Sequence, residues 1–296
     1  MKKEQASTHQ QISSSKYLCE ISNLTILNVV NELSNKNTLL NEANFGLKYI
    51  NQHLGNLHPQ STVLEIGAGP CILISQLSYS YPSYSFTGVE PIGPGFNIFK
   101  ESLNVLKSKF SFEIFEMGYE EFENKTNEKY DLIFLINVFE HLPNWKDFLR
   151  FVKSRLKPNG RCVILCPNYS FPYESHFRIP ILFNKSLTFY FFQKYIKKFE
   201  KNESSNGLWA SLNFIKLRQV IEETGNLDLI LIINNKITND LIIRLNTDSE
   251  FAYRQKLIGK LAKITQKIGL LKLFNTYPMY LLQPYMYLEI SLKPAQ

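Results

Sequence analysis

Long uninterrupted apolar runs are missing from this sequence of 296 residues. A membrane-spanning helix needs about 18 or more consecutive apolar residues, yet the most apolar segment, residues 179–196, is interrupted by Lys185 and Lys194. Residues 1–16 are polar and rich in Gln and Ser, and they lack the apolar core of a secretory signal. These absences predict a cytoplasmic protein without a transmembrane helix.

Cysteine is scarce as well. The four cysteines are Cys19, Cys71, Cys162 and Cys166. They form neither a CxxC pair nor the close triplet of an iron–sulfur site, which argues against a cysteine metal centre. We expect reduced thiols with structural roles.

Acidic residues are absent between Ala252 and Tyr277, although the chain as a whole carries both signs of charge and a net charge of +7. This segment holds six basic residues: Arg254, Lys256, Lys260, Lys263, Lys267 and Lys272. Because the excess charge is local, no nucleic-acid partner is expected. In a helix, Leu257, Leu261, Ile264, Ile268 and Leu271 would form an apolar stripe beside the lysines. Two interpretations stay open for residues 252–277, namely peripheral contact with the inner membrane face and packing on the sheet or a partner subunit.

Short apolar strands alternate with helices along the middle of the chain. The predicted strands are Thr62–Ile66, Ser85–Val89, Phe112–Phe115, Tyr130–Ile136, Arg161–Cys166, Leu227–Asn234 and Met286–Leu292. Helices are predicted over Ile72–Leu77, Phe96–Leu106, Trp145–Leu156 and Phe214–Thr224, the third ended by Pro158 and Gly160. The alternation predicts an α/β fold with a mostly parallel sheet of seven strands and helical insertions.

The same pattern predicts how the chain is divided. Residues 1–16 are expected to form a disordered tail, and residues 17–57 a helical segment. Residues 58–296 would form one domain with two insertions. The first insertion, at about 168–212, would be a lid over the acceptor, and the second, at about 246–278, a basic amphipathic helix.

A glycine turn follows the first strand in the sequence VLEIGAGPC, residues 63–71. Glycine at positions 67 and 69 lets the backbone turn sharply and approach a ligand. A dinucleotide fingerprint would require a third glycine at position 72, where this chain has Ile72. A second acid, Glu90, follows the second strand, where a carboxylate can accept hydrogen bonds from both hydroxyls of a ribose.

These features resemble the class I S-adenosylmethionine-dependent methyltransferases, including those of ubiquinone biosynthesis. The resemblance also includes the strand-four sequence YDLIFLINVFEHLPN and implies the Rossmann-like class I fold with S-adenosylmethionine as cofactor. By this similarity Glu65, Gly67 and Gly69 line the methionine part, Glu90 holds the ribose, and Pro91 and Ile92 flank the adenine. Ala68, Glu116 and Asn137 complete the predicted cofactor-binding set. Some relatives bind a metal through a Glu-x-x-Glu-His set, but here Asn137 replaces the first carboxylate, so no metal is predicted.

Two histidines are candidate bases for a hydroxyl acceptor, since histidine titrates near neutral pH. His141 lies in NVFEHLPN after the fourth strand, and His176 in CPNYSFPYESHFRIP after the fifth. The aromatic residues near His176 would line an acceptor pocket: Tyr169, Phe171, Tyr173 and Phe177. Glu174 or Arg178 would set the polarity of that pocket.

The sequence therefore predicts a methyltransferase that acts by in-line transfer on a small-molecule or lipid- or sugar-linked acceptor, at oxygen rather than nitrogen. The aromatic run Leu187–Phe199 favours a lipid-like partner, and it would also suit a lid. Two other classes stay open: a nicotinamide-dependent oxidoreductase, and a non-catalytic scaffold that binds S-adenosylmethionine at a membrane. The sequence identifies neither the acceptor nor the oligomeric state.

Overall fold

The computed structural model describes residues 26–28, 36–91, 100–203, 205–267, 269 and 276–294. The predicted tail at 1–16, Cys19 and Ile92 lie outside the described residues. So do Ile268 and Leu271 of the predicted basic stripe. The chain divides into two compact units, with the boundary after Phe134.

The first unit contains a helix and a run of alternating strands and helices. Its elements are α1 Lys36–Leu54, β1 Thr62–Ile66, α2 Ile72–Ser80, β2 Ser85–Val89, α3 Lys100–Lys109, β3 Glu113–Phe115 and α4 Tyr119–Lys125, followed by β4 Tyr130–Ile136, which crosses the boundary. β1 pairs in parallel with both β2 and β4, and β2 pairs in parallel with β3. The last four residues of β1 are buried, as are seven consecutive residues of α2. This burial holds the β1–α2 turn in a fixed position.

The second unit has two long strands and most of the helices. Its elements are α5 Trp145–Arg155, β5 Leu156–Pro167, β6 Tyr173–Glu174, β7 Ile179–Pro180, α6 Lys185–Asn202, α7 Leu208–Ser211, α8 Leu217–Asn226, β8 Leu229–Ile233, α9 Ile237–Thr247, α10 Ser249–Arg254, α11 Lys256–Lys267 and β9 Tyr285–Leu292. Short 3₁₀ turns lie at Phe139–His141 and Met279–Leu282. β6 and β7 form a separate two-stranded hairpin.

The main sheet has seven strands in the order β3-β2-β1-β4-β5-β9-β8. β9 runs antiparallel to both β5 and β8. The predicted seven-stranded, mostly parallel α/β fold of the class I methyltransferase type is therefore confirmed. Its core strands are apolar on both faces, as expected for a sheet covered on both sides.

The junction between α5 and β5 differs from the sequence prediction. The helix ends at Arg155, next to the predicted Leu156, whereas β5 begins at Leu156 and not at the predicted Arg161. Leu156 is fully buried, and its N–H still donates to the carbonyl of Val152. Proline disfavours helical backbone in the residue before it, so the chain leaves the helix ahead of Pro158, as the sequence predicts.

The structure contains no helix, within the residues it describes, that is long and apolar enough to cross a bilayer. The predicted basic helix at 246–278 includes α10 and α11, and Ile264 of the predicted apolar stripe is 56% exposed. Contact of residues 252–277 with a membrane stays a prediction.

Candidate functional site

In the glycine turn between β1 and α2, backbone N–H groups are already hydrogen-bonded to acceptors within the protein. Gly67 and Gly69 have φ angles of 75° and 52°, which glycine adopts without a steric penalty. The N–H groups of Gly67 and Ala68 donate to the carbonyl of Val89 at 2.8 and 3.2 Å. The Gly69 N–H donates to Glu90 Oε2 at 2.9 Å. A phosphate cradle needs free N–H groups at this place, and here the three N–H groups are already bound.

Two buried carboxylates lie at this turn. Glu65, in β1, is 4% exposed, and Glu90, directly after β2, is 7% exposed. Burial raises the pKa of Glu65 well above its usual value, and the charge of Glu90 raises it further. Burial also raises the pKa of Glu90, partly offset by the hydrogen bond from Gly69. Glu65 Oε2 is buried and accepts no hydrogen bond from the residues described in this structure. The pair would therefore be stabilised by a ligand that brings hydrogen-bond donors or positive charge.

We expect Glu65→Gln to stabilise the ligand-free protein. A carboxyl whose pKa is raised by folding contributes stability below its unfolded pKa and loses it as the pH rises through the folded pKa. The variant removes the buried charge, so near neutral pH its melting temperature should exceed that of the unchanged protein. Thermal unfolding at pH 5 and pH 8 measures it, and the advantage of the variant should grow with pH. The exposed Glu121→Gln is the matched control, and an equal gain in both variants would contradict the prediction.

Cys71 occupies a left-handed conformation at the start of α2, with φ 61° and ψ 24°. Its side chain is fully buried. Burial raises the pKa of the thiol, with further increases from the charges of Glu65, Glu90 and, more weakly, Glu116. This conformation is one that glycine adopts readily and that a residue with a Cβ, such as this cysteine, adopts rarely.

The other predicted cofactor residues are placed as follows. Pro91 and Glu116 are exposed, directly after β2 and β3, and Ala68 is buried in the turn. Asn137 follows β4 with φ 56°, and its Oδ1 accepts a hydrogen bond from the Tyr285 hydroxyl. Their roles in cofactor binding stay predictions.

A second polar cluster in the second unit is built on the β6–β7 hairpin, whose loop contains His176. Glu174, the last residue of β6, is fully buried. Its Oε1 accepts from His176 Nδ1 at 2.6 Å, and its Oε2 accepts from the Phe177 N–H at 2.6 Å. Burial alone would raise the pKa of Glu174, but the hydrogen bonds and charge of His176 and the backbone donors outweigh it, so the pKa is lowered. Glu174 is thus a hydrogen-bond acceptor that fixes the orientation of the His176 imidazole.

His141 is held by a different partner. Its Nδ1 lies 2.9 Å from Ser211 Oγ, whose own proton goes to the Leu208 carbonyl. Ser211 therefore accepts from Nδ1–H, and the lone pair of His141 is on Nε2. Burial, with the neighbouring His176, lowers the pKa of His141 to about 4. His141 is neutral at physiological pH and is a weaker base than an unperturbed histidine.

The two histidine rings lie 5.4 Å apart, edge to face. One ligand-type atom from each of Glu140, His141 and His176 lies within 4.8 Å of the other two, a spacing close enough to hold one cation. The absence of a bound metal stays a prediction, which metal analysis of the purified protein would decide.

Sequence reasoning missed two asparagines whose side chains hold turns of the second unit, one of them the turn that carries His141. Asn213 Nδ2 donates to the carbonyls of Phe139 and Leu142, and its own N–H donates to the carbonyl of Glu140. Asn168 Nδ2 donates to the carbonyls of Leu281 and Gln283 in the same way. Asn213 stands in no recognisable motif, and Asn168 lies in the CPNYSFPYESHFRIP stretch without a predicted role there, so the structure identifies both.

The predicted aromatic wall is only partly available to an acceptor. Phe177 is fully buried against Phe199 and Trp209, with ring centroids 5.1 and 5.4 Å away. Tyr169 is 4% exposed and stacks on Phe214 at 4.4 Å. Both rings are used in packing, and their place in the wall of an acceptor pocket stays a prediction. Phe171 and Tyr173 are partly exposed.

Among solved structures, the plantazolicin methyltransferase BpumL in complex with SAH is 13% identical, with coverage of 97% of this chain and 99% of that chain and a TM-score of 0.48. Among curated proteins, equisetin synthetase of Fusarium heterosporum is 27% identical over 136 residues, which cover 42% of this chain and 3% of that much longer protein.

Two further matches cover most of the chain. An uncharacterised protein of Mycobacterium tuberculosis is 31% identical over 217 residues, which cover 72% of this chain and 73% of that protein. A family model described as a methyltransferase domain matches residues 41–204, more than half of the sequence. This chain belongs to that methyltransferase domain family.

Proposed function

We propose that this protein is an S-adenosylmethionine-dependent methyltransferase that methylates a hydroxyl group on a small-molecule or lipid- or sugar-linked acceptor. The observation that carries the proposal is the buried pair of Glu65 and Glu90 beside a glycine turn whose N–H groups are already bound. When bound, S-adenosylmethionine supplies a methyl group on a positively charged sulfonium, and the group left behind is neutral.

The chemistry of the turn fits this cofactor. Glu90, anchored by the Gly69 N–H, keeps carboxylate lone pairs for the two ribose hydroxyls. Glu65 would meet the methionine part, where donors could satisfy its buried oxygen. Pro91 would flank the adenine, and Ala68 and Glu116 would complete the part of the site that the first unit contributes.

The same features disfavour a nicotinamide dinucleotide. Its pyrophosphate is bound through free N–H groups of the turn. Gly67, Ala68 and Gly69 offer it no free N–H, since the first two donate to Val89 and the third to Glu90.

For a hydroxyl acceptor, His176 would take the proton while Glu174 stabilises the imidazolium that forms. His141, with its pKa lowered to about 4, would serve as a hydrogen-bond acceptor and not as the principal base. This division of roles supports a catalytic function over a non-catalytic scaffold.

Calorimetric titration with S-adenosylhomocysteine, with NADH in parallel, tests the cofactor assignment. We expect saturable binding of the first and none of the second. Binding of NADH alone would overturn the proposal. A screen with methyl-labelled S-adenosylmethionine would then identify the acceptor, and absence of transfer to any hydroxyl compound would favour the scaffold.

A further inference from the structure

Helix α6 (Lys185–Asn202) carries apolar side chains on two opposite sides. On the inner side, Thr188 and Ile196 are fully buried. Phe189 lies 6.0 Å from the Trp209 ring. The core therefore uses one side of the helix, as expected for an amphipathic helix.

The outer side should then be polar, but it is aromatic. The exposed apolar residues are Phe183 (88%), Leu187 (37%), Tyr190 (69%), Phe191 (63%) and Tyr195 (45%). Leu187, Phe191 and Tyr195 are spaced by four residues, so they follow one another along the helix. In the part of the chain that the structure describes, this side stays open. Soluble proteins rarely leave a contiguous patch of this kind exposed unless it binds something.

The charges around this patch are of one sign. Lys194, Lys197 and Lys198 are exposed beside and just beyond the aromatic residues. The helix has no acid before Glu200, whose Oε1 accepts from the Trp209 N–H. An aromatic patch bordered by lysines has the composition of helices that lie in the headgroup region of anionic membranes.

We propose that this outer side, the α6 surface (Phe183, Leu187, Tyr190, Phe191, Tyr195 and the three lysines), binds the surface of a bilayer containing anionic lipids. The aromatic rings would enter the headgroup region, where tyrosine is favoured because one end is apolar and the other polar. The lysines would meet the lipid phosphates. The sequence prediction placed membrane contact at residues 252–277 and took the aromatic run Leu187–Phe199 only as favouring a membrane or a lipid-like substrate; the present assignment places the contact on α6 itself.

Vesicle flotation tests the proposal with the full chain. The probes are vesicles of phosphatidylcholine alone and of phosphatidylcholine with phosphatidylglycerol. We expect binding to the anionic vesicles at low salt, reduced by high salt, and little binding to neutral ones. Lys194→Gln, Lys197→Gln and Lys198→Gln should each weaken binding about fivefold. Tyr190→Ser with Phe191→Ser should weaken it at least about tenfold, with unchanged thermal stability because both rings are exposed.

The matched control is Tyr253→Ser with Lys260→Gln in the 252–277 segment, which should bind vesicles as the unchanged protein does. Failure of the unchanged protein to bind anionic vesicles would overturn the proposal, as would full binding by the Tyr190 and Phe191 double variant. Loss of binding in the control pair alone would instead assign the contact to residues 252–277. A concentration-dependent dimer that the double variant abolishes would assign the α6 surface to a second copy of the chain. None of these variants should change the binding of S-adenosylhomocysteine. Failure of the membrane proposal can therefore be distinguished from failure of the proposed function.

Discussion

Glu90→Gln should weaken binding of S-adenosylhomocysteine about 10- to 100-fold. A hydrogen bond to a charged group is worth about 1.5–3 kcal/mol, and the amide loses the charge and one acceptor at the ribose. Calorimetry gives the dissociation constant directly. The stability of the ligand-free variant should not fall, since the amide oxygen can still accept from Gly69 and the repulsion of Glu65 is removed.

Two comparisons make this result specific. Glu116→Gln, at an exposed carboxylate after β3, should change affinity much less. Equal losses in both variants would point to a general electrostatic effect and not to ribose recognition. Unchanged affinity in Glu90→Gln would show that the assignment of Glu90 is wrong.

His176→Ala should lower kcat about 10²- to 10⁴-fold on a hydroxyl acceptor, with affinity for S-adenosylhomocysteine unchanged. The measurement is the rate of methyl transfer to the acceptor that the labelled-methyl screen identifies. The exposed His58→Ala serves as the control and should keep full activity. Comparable activity in the two variants would exclude His176 as the base.

Glu174→Gln, measured in the same rate assay, tests whether Glu174 positions the His176 imidazole for proton transfer or only packs against it. Without the carboxylate, the imidazolium of His176 loses its stabilising partner, so kcat should fall and the acid limb of the pH profile should move to lower pH.

Proton NMR offers a readout that needs no acceptor. The short His176–Glu174 hydrogen bond should give a strongly deshielded proton signal, lost in Glu174→Gln and kept in His58→Ala.

The sequence predicts the parallel strands of the sheet well, because in these strands the local pattern of apolar and turn residues agrees with the burial in the fold. β1, β2 and β4 have the predicted limits, since each is a short apolar run bounded by polar or turn residues. Agreement fails at the start of β5, which begins at Leu156 and not at the predicted Arg161, because Pro158 and Gly160 are typical of a turn. Periodicity alone does not show which apolar residues a distant strand will cover.

Site prediction is limited in the same way. Motifs identify Glu65 and Glu90, yet the occupation of the turn's N–H groups by Val89 and Glu90 depends on strand pairing that no motif encodes. The partner of His176 is two residues away and could be anticipated. Asn213 contacts His141's turn from about 70 residues along the chain, so its part in the cluster appears only in three dimensions.

The left-handed backbone at Cys71 restricts which residues can replace this cysteine during evolution. Glycine fits the conformation without strain but leaves a cavity, because the thiol is fully buried. Valine, isoleucine and threonine would fill the space but are strongly disfavoured at positive φ. Substitutions at this position should therefore be limited to small residues without a branched Cβ. An alignment of related sequences should show only such residues at this position, whereas the neighbouring positions vary more widely.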